Sequence, residues 1–172
     1  HVAQAAWQDG GELLPGGTIR PTHLSFRSLT NPRRTDAIIV HHVGNTNADV
    51  SAETMHQWHL ANGWAGIGYH FVIRKDGSIE QGRPMDTVGA HCYGENDHTV
   101  GVNLVGNFED YVPEDAQVAS AKRLLAALCR NYGFAPSGST IFGHRDFNAT
   151  ACPGQNLYDM LPDIIRGASS LY

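Results

Sequence analysis

Ala37-Ile38-Ile39-Val40-His41-His42 is an apolar, β-branched run that ends on two histidines. Its length and composition read as a short buried strand. Downstream, Asp49 to Asn62 reads as a helix, with Asp49 or Ser51 as cap and Gly63 as stop. Tyr69-His70-Phe71-Val72-Ile73-Arg74 alternates, meets Lys75-Asp76-Gly77, and resumes in Ser78-Ile79-Glu80-Gln81, which is the signature of a hairpin. Thr99 to Val105 is a further strand, stopped by Gly106. Pro113 to Tyr132 carries Val118, Ala121, Leu125, Leu128 and Tyr132 three or four apart, so one helical stripe is apolar. Pro113 is placed in its first turn and Gly133 at its end. Ser139 to Phe142 reads as a short strand, and Asn156 to Ile165 as a last helix that Pro162 limits or kinks. Helices interleave with strands and one hairpin is antiparallel. The expected fold class is therefore mixed α/β, a central mixed β-sheet flanked by helices in a single domain.

Composition bounds the function. A chain of 172 residues suits one domain and can bury a core without disulfides. The formal net charge of -5 offers no basic footprint for nucleic acid, so none is expected as a partner. No apolar run approaches the ~20 residues of a membrane helix, so no membrane insertion is expected. His1 to Gln8 do not read as a secretory leader, which leaves the compartment open. Residues 1–35, rich in Gly, Pro and polar side chains, are expected to be an irregular N-terminal extension that crosses the core or links to something else. Three cysteines set far apart, Cys92, Cys129 and Cys152, are not a disulfide framework, although one pair could form in an oxidising compartment.

Ten histidines nearly match the twelve Lys and Arg residues, so a metal or acid–base site is worth seeking. His41 ends a strand, His144 follows another in Gly143-His144-Arg145-Asp146, and Cys152 lies eight positions further on in Ala151-Cys152-Pro153-Gly154. Two imidazoles and one thiolate can hold zinc and leave a fourth tetrahedral position open, the arrangement of catalytic sites. Spacing alone does not decide this, because His-x7-Cys is no standard finger pattern. Each histidine read singly fits a hydrogen-bonded or exposed side chain.

The surrounding words add to it. Val40-His41, Gly63-Trp64 leading into Ile67-Gly68-Tyr69-His70-Phe71, Asp76-Gly77, Gly82-Arg83, Gly89-Ala90-His91, Val100-Gly101-Val102, Gly106-Asn107-Phe108 and Gly143-His144-Arg145-Asp146 through Cys152-Pro153-Gly154 occur in this order. Over about residues 36–165 the chain resembles the type 2 N-acetylmuramoyl-L-alanine amidases, which include phage lytic amidases and animal peptidoglycan recognition proteins. The resemblance implies a catalytic domain over 36–172 that hydrolyses the amide between N-acetylmuramic acid and L-alanine. It implies Zn2+ on His41, His144 and Cys152. Tyr69 maps onto the family's catalytic tyrosine, which can hydrogen-bond the developing oxyanion. Thr150 falls where relatives carry lysine or threonine, as a neutral donor. Trp64, His91 and Asn107 are expected along the substrate groove. Peptidoglycan or muropeptides are the implied partners, acting at the wall or outside the cell is the implied setting, and a monomer is expected.

Asn103 departs from the pattern. It stands where the muropeptide-recycling branch has a glutamate base, and an amide cannot take a proton. That leaves Tyr69, the metal's own water or an unrecognised group as base, and points toward the phage and recognition-protein branches. Three alternatives are carried forward: a peptidoglycan-binding module without turnover, a recycling amidase acting on soluble fragments, and a structural zinc domain closed by His42. Alternation turns His42 away from the face of His41. His56 and His59 read as surface or groove residues and Cys129 as a buried small hydrophobe, while Cys92 has no role in this reading.

Overall fold

The computed structural model describes residues 13–15, 18–32 and 34–172. The parts of the expected N-terminal extension at 1–12, 16–17 and 33 lie outside the described residues. Six strands form one sheet: β1 (Ile19–Arg20), β2 (Ala37–His42), β3 (Phe71–Ile73), β4 (Ile79–Gln81), β5 (Thr99–Leu104) and β6 (Ile141–Gly143). Among the described residues three α-helices accompany it: α1 (Ala52–Ala61), α2 (Asp115–Tyr132) and α3 (Gln155–Leu171). The strand order is β1-β4-β3-β5-β2-β6. Among the described strands only β3 and β4 pair antiparallel, as the Asp76-Gly77 hairpin requires, and Gly77 supplies the turn with a φ of +86°. The sheet is thus mixed and helix-covered, as expected from the sequence.

β2 runs parallel between β5 and β6, and all six of its residues are buried, which is why it reads as apolar without alternation. Its two faces serve two cores. Ile38 and Val40 join Val100, Val102, Phe71 and Ile73 beneath α2 and α3. Met55 of α1, Ile67, Val72 and Phe26 fill the opposite face. Alternation therefore directs His41, one residue after Val40, toward the α1 side of the sheet.

The helices show where local signals were read correctly and where packing overrode them. Ser51 caps α1, its hydroxyl accepting from the Thr54 amide at 3.1 Å. α2 begins two residues later than expected, at Asp115. Pro113 lies before the cap, and Glu114 and Gln117 form a capping box there. The Gln117 amide also donates to the Val105 and Ile73 carbonyls, at 2.9 and 3.2 Å, and so ties the helix to the strand ends. Gly133 ends α2 in the left-handed region, as anticipated. Pro162 does not stop α3, which runs on to Leu171. An interior proline costs about 3 kcal/mol. Leu157, Leu161 and Ile164 are buried along one stripe, worth about 1.5–3 kcal/mol each, so tertiary packing wins. The strand expected at Ser139 begins at Ile141, because Ser137 to Thr140 close a turn first. Residues 18–32 contribute β1, parallel to β4, and pack Leu24 and Phe26 on the α1 side.

Candidate active site

β2 and β6 are neighbouring parallel strands, so their carboxyl ends open on the same edge of the sheet, where α/β proteins place ligands. His41 leaves the end of β2. His144 begins the 3-10 turn His144–Asp146 directly after β6. The loop that follows returns Cys152 to the same point. Side-chain donor atoms of His41, His144 and Cys152 all lie within 4.8 Å of one another. The His41 Nδ1 to Cys152 Sγ separation is 3.6 Å. Tetrahedral zinc at normal bond lengths sets its donors roughly 3.3–3.7 Å apart, so this pair already has that spacing. The three residues fit a metal ion.

The loop is built to hold this position. The Arg145 amide donates to the Cys152 carbonyl at 2.9 Å. The Arg145 guanidinium donates to the Ala151 carbonyl at 2.5 Å and to Gln155 Oε1 at 2.8 Å, and it lies over the Tyr158 ring. Asp146 accepts from the Gly143 amide and the Tyr158 hydroxyl. Thus the two residues after His144 brace the turn that carries it. Thr150 Oγ accepts from the Cys152 amide at 3.2 Å.

Protonation in the metal-free site follows from burial. Burial, and then the neighbouring imidazoles of His91, His144 and His42, hold His41 well below the usual histidine range. Burial also lowers His144, partly offset by its hydrogen bond to Asn148. Burial pushes the Cys152 thiol up to about 12, although the His42 amide and Arg145 favour the thiolate. Burial and the charge of Cys152 raise the Tyr69 phenol above its ordinary value of 10. Tyr69 is therefore a neutral hydrogen-bond donor at neutral pH. Its ring centroid lies 5.0 Å from that of His41.

Three histidines outside the cluster are also held neutral. His42, His59 and His70 titrate at about 4 rather than 6.5, in each case chiefly through burial. In the unfolded chain these imidazoles bind protons that the native state refuses. Stability is therefore intact above pH ~6.5 and falls as the pH drops toward 4. The thermal midpoint of the metal-free protein is expected to be lower at pH 5 than at pH 7. Calorimetry showing a flat or rising midpoint on acidification contradicts this.

The geometry has counterparts among known proteins. Residues 31–155 match the profile of the N-acetylmuramoyl-L-alanine amidase family. The chain belongs to this family. An endolysin of Klebsiella phage KP32 is 36% identical over 137 residues, covering 75% of this chain and 87% of the phage protein. An endolysin N-acetylmuramoyl-L-alanine amidase, LysCS of Clostridium intestinale, superposes with a TM-score of 0.79 at 30% identity, over 89% of this chain and 97% of its own. A Drosophila PGRP-LB mutant in complex with tracheal cytotoxin gives 0.73 at 26% identity, over 84% and 93%. The protein is an amidase of this family, and so a hydrolase.

In this amidase a polar hollow of about 410 Å³ opens over the cluster, lined by Tyr69, Asn107, Thr150 and Cys152 among others. A second hollow of about 430 Å³, lined by Trp58, His59 and Asn62, adjoins it through Val43, Asn45 and Tyr69. Together they make one groove. The Asn107 amide donates to Asp110 at 3.0 Å and stiffens that wall. Trp64, 42% exposed, stands beside His59 with ring centroids 4.5 Å apart. His91 is elsewhere. It is buried behind His41, with its Nδ1 at 2.9 Å from His41 Nε2. His42 turns its Nδ1 to the Phe108 amide at 3.1 Å. Asn103, in register with His41, is fully buried, with the Tyr69 phenol as its hydrogen-bonding neighbour. Sequence reading passed over Glu109, which lines the groove and pairs with the Gln155 amide, and assigned no role to Trp58. No periodicity marks a loop carboxylate, and the exposed Trp58 could be recognised only once the groove beside it existed. Among the described residues no helix is long and apolar enough to cross a membrane.

Proposed function

We propose that the chain cleaves the amide between the lactyl group of N-acetylmuramic acid and L-alanine in peptidoglycan, with Zn2+ held by His41, His144 and Cys152. The convergence of these three donors on the floor of a polar groove, beside a neutral Tyr69 phenol, carries the reading. Bound zinc would polarise the substrate carbonyl and make water nucleophilic at neutral pH. The protein's own residues do the rest. Tyr69 donates its hydroxyl proton in a hydrogen bond to the oxygen on which charge develops. Thr150, whose oxygen already accepts from Cys152, keeps its hydroxyl hydrogen for the same region. Asn107 on one wall and Trp64 at the rim hold the muropeptide. Buried Asn103 has no basic atom and contributes no proton transfer. The catalytic unit spans 36–172, and the enzyme works as a monomer on the wall itself, from the periplasm or from outside, as the endolysin relatives suggest.

Mass spectrometry of peptidoglycan digested with and without a zinc chelator tests this. The expected products are glycan strands stripped of peptide and stems with free N-terminal L-alanine, both lost in chelator and restored by zinc. Zinc uptake without product from sacculi or soluble muropeptides would make the protein a binding module instead. Preference for soluble fragments over sacculi would place it in recycling.

Arg145→Ala offers a check on the loop. Losing the bonds to Ala151 and Gln155 frees the segment that presents Cys152, so zinc affinity is expected to fall about 10- to 100-fold. Competition with a chromophoric chelator measures it. Unchanged affinity would mean that the backbone alone fixes the cysteine.

A further inference from the structure

His91 is a buried imidazole that the reaction does not use, and the fold goes to some length to house it. A Cβ on Gly101 would fall 2.6 Å from its ring, and a Cβ on Gly89 would also fall 2.6 Å from it. Two glycines therefore leave the slot that the ring fills. Asn96 Oδ1 accepts from the amides of His91 and Cys92, at 2.9 and 3.0 Å, and pins the backbone there.

The hydrogen bonds around this ring fix where protons sit. The Thr99 hydroxyl donates to the Glu95 carbonyl at 2.7 Å, so its oxygen is left to accept from His91 Nε2 at 3.3 Å. With the proton on Nε2, His91 Nδ1 carries only a lone pair. It lies 2.9 Å from His41 Nε2, which must then carry the hydrogen. His41 Nδ1 is left bare, and that is the atom 3.6 Å from Cys152 Sγ.

We propose that His91 is a positioning residue: it locks His41 in the Nε2–H tautomer and aims the bare Nδ1 at the metal position. The adjoining residues do the same for the second imidazole. Asn148 Nδ2 donates to the Tyr93 carbonyl at 3.1 Å, which turns Oδ1 toward His144 Nε2 at 2.8 Å and toward Cys92 Sγ at 3.4 Å. One segment, His91-Cys92-Tyr93, thus supports both histidines from behind, and Cys92 acquires a place in the site. Ligand imidazoles whose second nitrogen is held in this way keep their orientation, and losing that partner typically weakens metal binding 10- to 100-fold.

The inference rests on the zinc reading, and the test separates the two. Long-range 15N–1H correlation spectra of the metal-free protein report the His41 tautomer directly, beside zinc affinity by chelator competition. Wild type should show His41 protonated on Nε2. His91→Leu, which keeps bulk but removes the acceptor, should lose that single tautomer and bind zinc 10- to 100-fold more weakly. His91→Asn, which places an oxygen near the former Nδ1, should recover part of both, a rescue that mere cavity filling does not give. A wild-type His41 protonated on Nδ1 overturns the inference, as does a His91→Leu protein with unchanged tautomer and affinity. If wild type takes up no zinc, the metal reading falls, and the tautomer spectra still decide the role of His91.

Discussion

Cys152→Ala is expected to abolish stoichiometric zinc binding and to reduce peptidoglycan hydrolysis to background. The thiolate is the only anionic donor of the three, since His41 and His144 bind as neutral rings. Removing it leaves two imidazoles, one fewer protein ligand than catalytic zinc sites keep. The fold should survive, because Cys152 is half-buried and lies outside both apolar cores. Thermal unfolding of metal-free wild type and variant should therefore differ little, which distinguishes loss of metal from loss of structure. The wild-type site also predicts a pH dependence. Burial holds the metal-free thiol up at about 12, so zinc must displace a proton to bind. Affinity should rise with pH by about tenfold per unit through neutrality, with close to one proton released. Titration calorimetry in buffers of different ionisation enthalpy measures that proton. Retained zinc and turnover in Cys152→Ala would remove the cysteine from the site.

Tyr69→Phe is expected to lower kcat by about 10²–10³ while zinc stays bound, the size seen when one oxyanion donor is removed. The phenol is held neutral by burial and by the Cys152 charge, so it acts by donating. The ring itself packs beside His41 and against the second core, and phenylalanine preserves that packing. KM should change little if the bond forms only as charge develops. A variant that loses zinc would mean that Tyr69 supports the metal site, and one with full turnover would leave the oxyanion to Thr150 or to the metal.

Much of this was legible in the chain. The unbroken apolar run of β2, the Asp76-Gly77 turn and the stripe of α2 are local patterns, and each became the element it announced. The ordered words around His41, His144 and Cys152 carried the family, and the family carried the site residues. Where local rules failed, the cause was burial that no local rule contains. Pro162 reads as a limit or a kink near Ile165, but α3 passes through it to Leu171 because its stripe packs in the main core.

The sequence by itself determined the strand that ends in His41, the helices with their stops at Gly63 and Gly133, and membership of the amidase family, since these depend on neighbours in the chain or on ordered motifs. Only the tertiary structure decided which nitrogen of His41 is free, and that His91 lies behind it rather than along the groove. That choice depends on a chain of hydrogen bonds from Glu95 through Thr99 and His91 to His41. Its links are 50 residues apart in sequence at one step, and the slot exists only because Gly89 and Gly101 come together on either side of one ring.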